Sequence, residues 1–246
     1  MIKLTEKKNK IDITPENALI LAKFNPKLAL LIAEMLEKKG YDDKIVEVFR
    51  LAPRDTLKFI YQNPRFASQL VKVIPNKIDE IINMSNLPKE ELVEIALCFP
   101  DKMLQIARID PNSITLMFFE AMYNADKDPK NEKKKIALIR QKVCEIGQEF
   151  PDHIMPILLK IKNSRKCEDE QKDIIIETAK FFPEKAVDIA TFFNLEIDIA
   201  KEIPSVAAKI AIEKPELAFA IIEAVPPSEK EIREHFTLKK IKKSVK

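Results

Sequence analysis

Apolar positions along this chain recur every three or four residues within segments of about eleven residues, and a proline opens most of those segments. After Pro100 the apolar set is Met103, Leu104, Ile106, Ala107 and Ile109, with Asp101, Lys102, Gln105 and Arg108 between them. That is the stripe of an amphipathic helix, not the strict alternation of a strand. Segments beginning at Asn25, Asn63, Phe99, Phe182, Ile203 and Lys214 share the form. Proline has a fixed φ and no N–H to leave unpaired in a first turn, so it suits the start of a helix. The residue before it is disfavoured in the α region, so the preceding helix should end there. The pattern predicts a succession of about sixteen or seventeen short helices between Thr14 and Phe236.

Thr14, Asn25, Asn63 and Asp110 precede prolines and are placed to cap the helices that follow. Ile74, Leu87, Phe99, Phe150, Phe182 and Ile203 hold the same position without capping ability, and are expected to tuck into a neighbouring layer. Isolated helices of nine or ten residues are marginal in water, so these must be held by stacking. Antiparallel pairs would give a repeat of about 22–24 residues and an all-α, α-solenoid architecture. The arrangement resembles HEAT-like and armadillo-like solenoids as a class, over nearly the whole chain. It departs from them in a repeat about half as long, and it carries none of their signature residues. The resemblance implies a curved scaffold for interactions. A compact helical bundle is the competing arrangement.

The register breaks in the middle. Polar and charged residues dominate Asn124 to Lys135, and a longer helix without internal proline follows, from about Asn131 to Gln148. A charged turn from Asn163 then leads to another long helix ending near Phe181. The expected organisation is an extension over 1–13, helical repeats over 14–123, a charged loop over 124–134, further repeats over 135–236 and a Lys-rich tail over 237–246. One continuous body with a bend is favoured over two sub-arrays.

Composition narrows the picture. In 246 residues there are two glycines, Gly40 and Gly147, and no tryptophan. So few glycines cannot supply the turns of a many-stranded fold or a phosphate-cradling loop, which excludes P-loop and Rossmann nucleotide binding. A formal charge of +3 sets up no global field for nucleic acid. Cys98, Cys144 and Cys167 lack CxxC spacing and fit reduced thiols of a cytoplasmic protein. No apolar run reaches a bilayer's thickness, and no signal-peptide core follows the basic first ten residues.

Catalytic and metal-binding signals are weak, and no cofactor is expected. His153 and His235 lie in no ligand spacing; His153 opens a helix, and His235 is placed near the end of the last one, at its negative dipole end. Cys98, in an apolar string, reads as a small core residue. Cys167, in a charged turn, reads as the more reactive thiol.

Three sets of residues are candidates for binding. Lys27, Arg54, Arg65 and Lys89 directly follow prolines, where a cation opposes the helix dipole. Together they would make an anion-facing ridge, although alternation puts Lys27 and Arg54 on one edge and Arg65 and Lys89 on the other. Of the pairs Phe118–Phe119, Phe181–Phe182 and Phe192–Phe193, adjacent rings point about 100° apart, so one of each can face a partner. The rings assigned that role are Phe119, Phe182 and Phe193. Lys239, Lys240, Lys242 and Lys243 form a basic tail, expected to be disordered and solubilising. The resulting reading is a non-enzymatic scaffold or adaptor for a protein or peptide. A nucleic-acid-binding repeat protein is the alternative. The Lys-, Ile-, Asn- and Phe-rich vocabulary, typical of A/T-rich genomes, adds a further one: a bacterial effector delivered into a host cell without a classical signal peptide.

Overall fold

A computed structural model describes the backbone of residues 14–127, 130–163 and 168–244, and their side chains except those of 126 and 237–244. Among the described residues the chain is all-α, with seventeen α-helices and nine proline-led 3₁₀ turns and no strand. Helices end at Gln62, Cys98 and Glu202, immediately before the residues that precede Pro64, Pro100 and Pro204, as the proline pattern requires.

One backbone conformation accounts for nearly every junction. Asn25, Ala52, Asn63, Phe99, Ile203 and Val225 share φ between −130° and −143° and ψ between 71° and 76°. In each, one residue closes the old helix and opens the next. The Asn63 N–H donates to the Phe59 carbonyl at 2.8 Å, and the Asn63 carbonyl accepts from the Phe66 N–H at 3.2 Å. Both backbone groups are therefore satisfied without help from a side chain. This is why alanine, valine or phenylalanine serves as well as asparagine. It also corrects the capping expectation: Thr14 accepts from the Asn17 N–H and Asp110 from the Asn112 N–H, but Asn25 and Asn63 make no side-chain cap. Phe182 and Ile203 are buried, while Ile74, Leu87, Phe99 and Phe150 are half-buried.

The helices gather into two compact units, Met1–Ser113 and Ile114–Lys246. The first holds α1 (Pro15–Phe24), α2 (Ala29–Lys38), α3 (Asp42–Leu51), α4 (Thr56–Gln62), α5 (Ala67–Leu70), α6 (Ile78–Ile82), α7 (Lys89–Cys98) and α8 (Met103–Ile109). Within it α1 packs on α2 and α3, α2 on α3 and α4, α3 on α5, α5 on α7 and α7 on α8. The core is built of alanine, branched aliphatic and phenylalanine side chains, among them Ala18, Ile32, Ala33, Ile45, Phe49, Phe59, Ile60, Ile81 and Ile95. Gly40, at φ 76°, ends α2 in the left-handed conformation; its N–H meets the Glu37 carbonyl while Tyr41 N–H meets that of Leu36.

The second unit holds α9 (Ile114–Asp126), α10 (Glu132–Glu149), α11 (Ile154–Lys162), α12 (Glu168–Phe181), α13 (Ala186–Phe193), α14 (Glu196–Glu202), α15 (Pro204–Glu213), α16 (Ala218–Ala224) and α17 (Glu229–Ser244). Each of α9 to α14 packs on the next helix, and each of these except α11 also packs on the next but one. Because α9 packs on α10 and α11, it belongs here, and the division falls before it rather than at the charged segment expected over 124–134. The tail also differs from expectation. With no proline or glycine after Pro227, α17 continues to Ser244, so Lys239, Lys240, Lys242 and Lys243 lie on helical backbone. His235 is accordingly well inside that helix, not at its end. Among the described residues no helix is long and apolar enough to cross a membrane.

Candidate functional site

Two of the longest helices of the second unit, α10 and α12, contain no proline and pack together. Arg140 pairs with Asp173, and Gly147 lies against Phe182, just beyond α12. Residue numbers thus rise together along both helices, which run in the same direction. Between them lies an open groove of about 470 Å³. Ala137, Arg140, Gln141, Cys144, Glu145 and Gln148 line it from α10, at the three- and four-residue spacing of one helix face. Glu177, Lys180 and Phe181 line it from α12.

Most of its charges are already engaged. Lys180 Nζ donates to Glu177 at 3.1 Å and pairs with Glu202 at 2.5 Å, and these bonds, Glu202's first, raise its pKa. Lys142 and Gln141 donate to Glu145 at 2.5 and 2.6 Å, and the lysine's bond does most to hold that carboxyl below its usual range. Arg140 differs. Its Nε is buried without a hydrogen-bond partner, and its Nη2 stands 3.9 Å from Asp173, beyond hydrogen-bonding reach. Burial, reinforced by the charge of Glu177, pushes the Cys144 thiol up. It therefore stays protonated at neutral pH and is a poor nucleophile. Neither His153 nor His235 lines the groove. Among the described residues no three His, Cys, Asp or Glu side chains come together as a metal site.

The basic residues picked out by sequence have separate fates. Arg65 Nη2 donates to Glu37 at 3.1 Å, lies 3.6 Å from Asp42, and its guanidinium sits 4.7 Å over the Phe66 ring. Lys89 Nζ donates to the Asn112 carbonyl at 3.0 Å. Arg65 thus ties its first turn to the last turn of α2, and Lys89 ties the start of α7 to the turn at Asn112, which offsets their poor placement against the dipole. Lys27 and Arg54 remain exposed, without an ion-pair partner among the described residues, in turns that lead into the packed pair α2 and α4. The four do not form one ridge.

The aromatic assignment needs correction. Phe182 and Phe193 are 7% and 3% exposed and belong to the core, while Phe181 and Phe192, their neighbours, are 47% and 54% exposed. Each pair meets edge to face at 5.0 Å, so the buried ring anchors the exposed one. Phe119 is half-buried, with Lys160 Nζ 5.8 Å from its ring centre, and Phe118 is fully buried. Cys98, expected in the core, is exposed at the end of α7. Cys167 and the side chains of Lys239, Lys240, Lys242 and Lys243 lie outside the described residues. Sequence reasoning missed Arg140 and the groove, whose one advance signal was a face of α10 carrying alanine, cysteine and glutamine where a core stripe has leucine. Comparison of the chain with protein-family models, with curated proteins and with solved structures found no match.

Proposed function

We propose that this chain is a non-enzymatic helical-repeat scaffold, an α-solenoid of short antiparallel helix pairs that binds a protein or peptide partner. Bridging side chains support the repeat. Glu91 reaches the Ser68 N–H, Lys89 the Asn112 carbonyl and Lys102 the Asp79 carboxylate, each across 23 positions. Lys180 meets Glu202 at a closely similar spacing. Packing of most helices of the second unit on both the next and the next but one is the stacking such arrays use.

The observation that carries binding is the groove between α10 and α12. It is open and of mixed polarity, it ends in a half-exposed phenylalanine, and its thiol is protonated. Such a surface recognises side chains and sets up no nucleophile. The test is a peptide-display library presented to the immobilised full chain, followed by calorimetry on synthetic copies of the retained sequences. A scaffold retains a discrete set that rebinds one to one. If no retained peptide rebinds in purified form, the reading fails.

A further inference from the structure

Resting on that reading, we propose that the α10/α12 groove receives a short extended segment of a partner protein, an acidic side chain on Arg140 and an apolar side chain three or four residues later against Phe181. Charge complementarity selects the acid. Lys180 is held by Glu177 and Glu202, and Glu145 by Lys142 and Gln141, so an incoming cation meets carboxylates that already have partners. An incoming carboxylate meets a guanidinium that is 37% exposed and only loosely paired with Asp173. Arginine binds carboxylate through paired, charge-assisted bonds, which an ion pair at 3.9 Å does not supply.

Phe181 supplies the apolar end. Its half-exposed ring is held edge-on against buried Phe182, so it is an aromatic anchor that needs little further ordering. Cys144, as a neutral thiol, and Ala137 complete a floor without charge. Spacing then selects the backbone form. Arg140 and Gln148, the last lining residue of α10, are separated by roughly 12 Å at 1.5 Å per helical residue. An extended chain covers that in three or four residues at roughly 3.3 Å each. A volume of about 470 Å³ suits a few side chains rather than a whole docked helix.

The experiment uses the full chain and a set of acetylated, amidated, fluorescein-labelled octapeptides. They carry Glu at the third position and Leu, Met or Phe at the sixth or seventh, each with a Gln-for-Glu counterpart. Anisotropy should give about tenfold or greater preference for the best Glu members, the loss expected of a charged hydrogen bond. Arg140→Gln should abolish that preference, and Phe181→Ala should weaken the Glu and Gln forms together. Circular dichroism melts establish that both variants are folded. Bound peptide should also slow maleimide alkylation of half-buried Cys144 while leaving exposed Cys98 unchanged, read cysteine by cysteine by mass spectrometry. Equal binding of the Glu and Gln forms, a preference that survives Arg140→Gln, or unaltered Cys144 alkylation overturns the proposal. If display-selected peptides still rebind in any of these cases, the scaffold reading stands and only the groove assignment falls. If no peptide binds, both fall.

Discussion

Gly147→Ala is the substitution on which the packing of the second unit can be judged. In the last turn of α10, alanine should be favoured over glycine by at most about 0.8–1.0 kcal/mol from helix propensity alone. Tertiary packing opposes this. A Cβ on residue 147 would lie 2.8 Å from Phe182 Cζ, 3.0 Å from its Cε2 and 2.9 Å from Ile154 Cγ1. Carbon atoms in contact prefer about 3.5–4.0 Å, so three contacts would be compressed at once. Phe182 and Ile154 are both buried and have little room to retreat. Overpacking of this kind costs about 1–3 kcal/mol, which outweighs the propensity gain and leaves the variant destabilised by about 1 kcal/mol. Phe182→Leu removes the Cε and Cζ atoms and gives Ile154 space to shift. On that background Gly147→Ala should stabilise the protein, with a coupling energy of about 1–2 kcal/mol. Since the chain has no tryptophan, urea unfolding followed by far-ultraviolet circular dichroism is the assay. An equal stability gain from Gly147→Ala in both backgrounds would refute the close approach of Phe182 to α10.

Gly40→Ala places a side chain at φ 76° and should cost about 1–2 kcal/mol, seen as a lower urea midpoint; an unchanged midpoint would contradict the left-handed end of α2. Arg65→Glu sets a third carboxylate beside Glu37 and Asp42 and should lower the melting temperature, whereas Arg54→Glu, at an exposed position, should leave it nearly unchanged. Equal effects from the two would deny Arg65 its stapling role. The carboxyl of Glu145 is held below its ordinary 4.5, so the stability it adds is complete above that pH and is lost as pH falls through the lowered folded value. Glu145→Gln should therefore flatten the acid side of the stability profile, measured as urea midpoints between pH 2 and 7, and leave the alkaline side alone. A profile parallel to that of the wild type would disprove the Lys142–Glu145 coupling.

Legibility differed between fold and site. The proline spacing is enough to locate the helix boundaries at Gln62, Cys98 and Glu202, because a missing N–H and a fixed φ act within a few residues. Residue type misleads about capping at Asn25 and Asn63, since the single-residue junction satisfies its own backbone groups. Arg65 and Lys89 look anomalous while only their own helices are considered. Their partners, Glu37 and Asn112, are 28 and 23 positions away and are brought near by stacking. The choice between Phe181 and Phe182 is equally hidden, because adjacent helical residues are alike in composition and differ only in which neighbour they face.

The amino-acid sequence alone determined that this is an all-α chain of short, proline-started helices, because those instructions are local and each is carried within one turn. Tertiary structure decided which ring of each phenylalanine pair is exposed, which cations are engaged, and that a groove opens between α10 and α12. Those outcomes depend on which helix faces are pressed together and on the absent Cβ of Gly147, which admits the Phe182 ring. Contacts of that kind join residues far apart in the chain, where no short-range pattern records them.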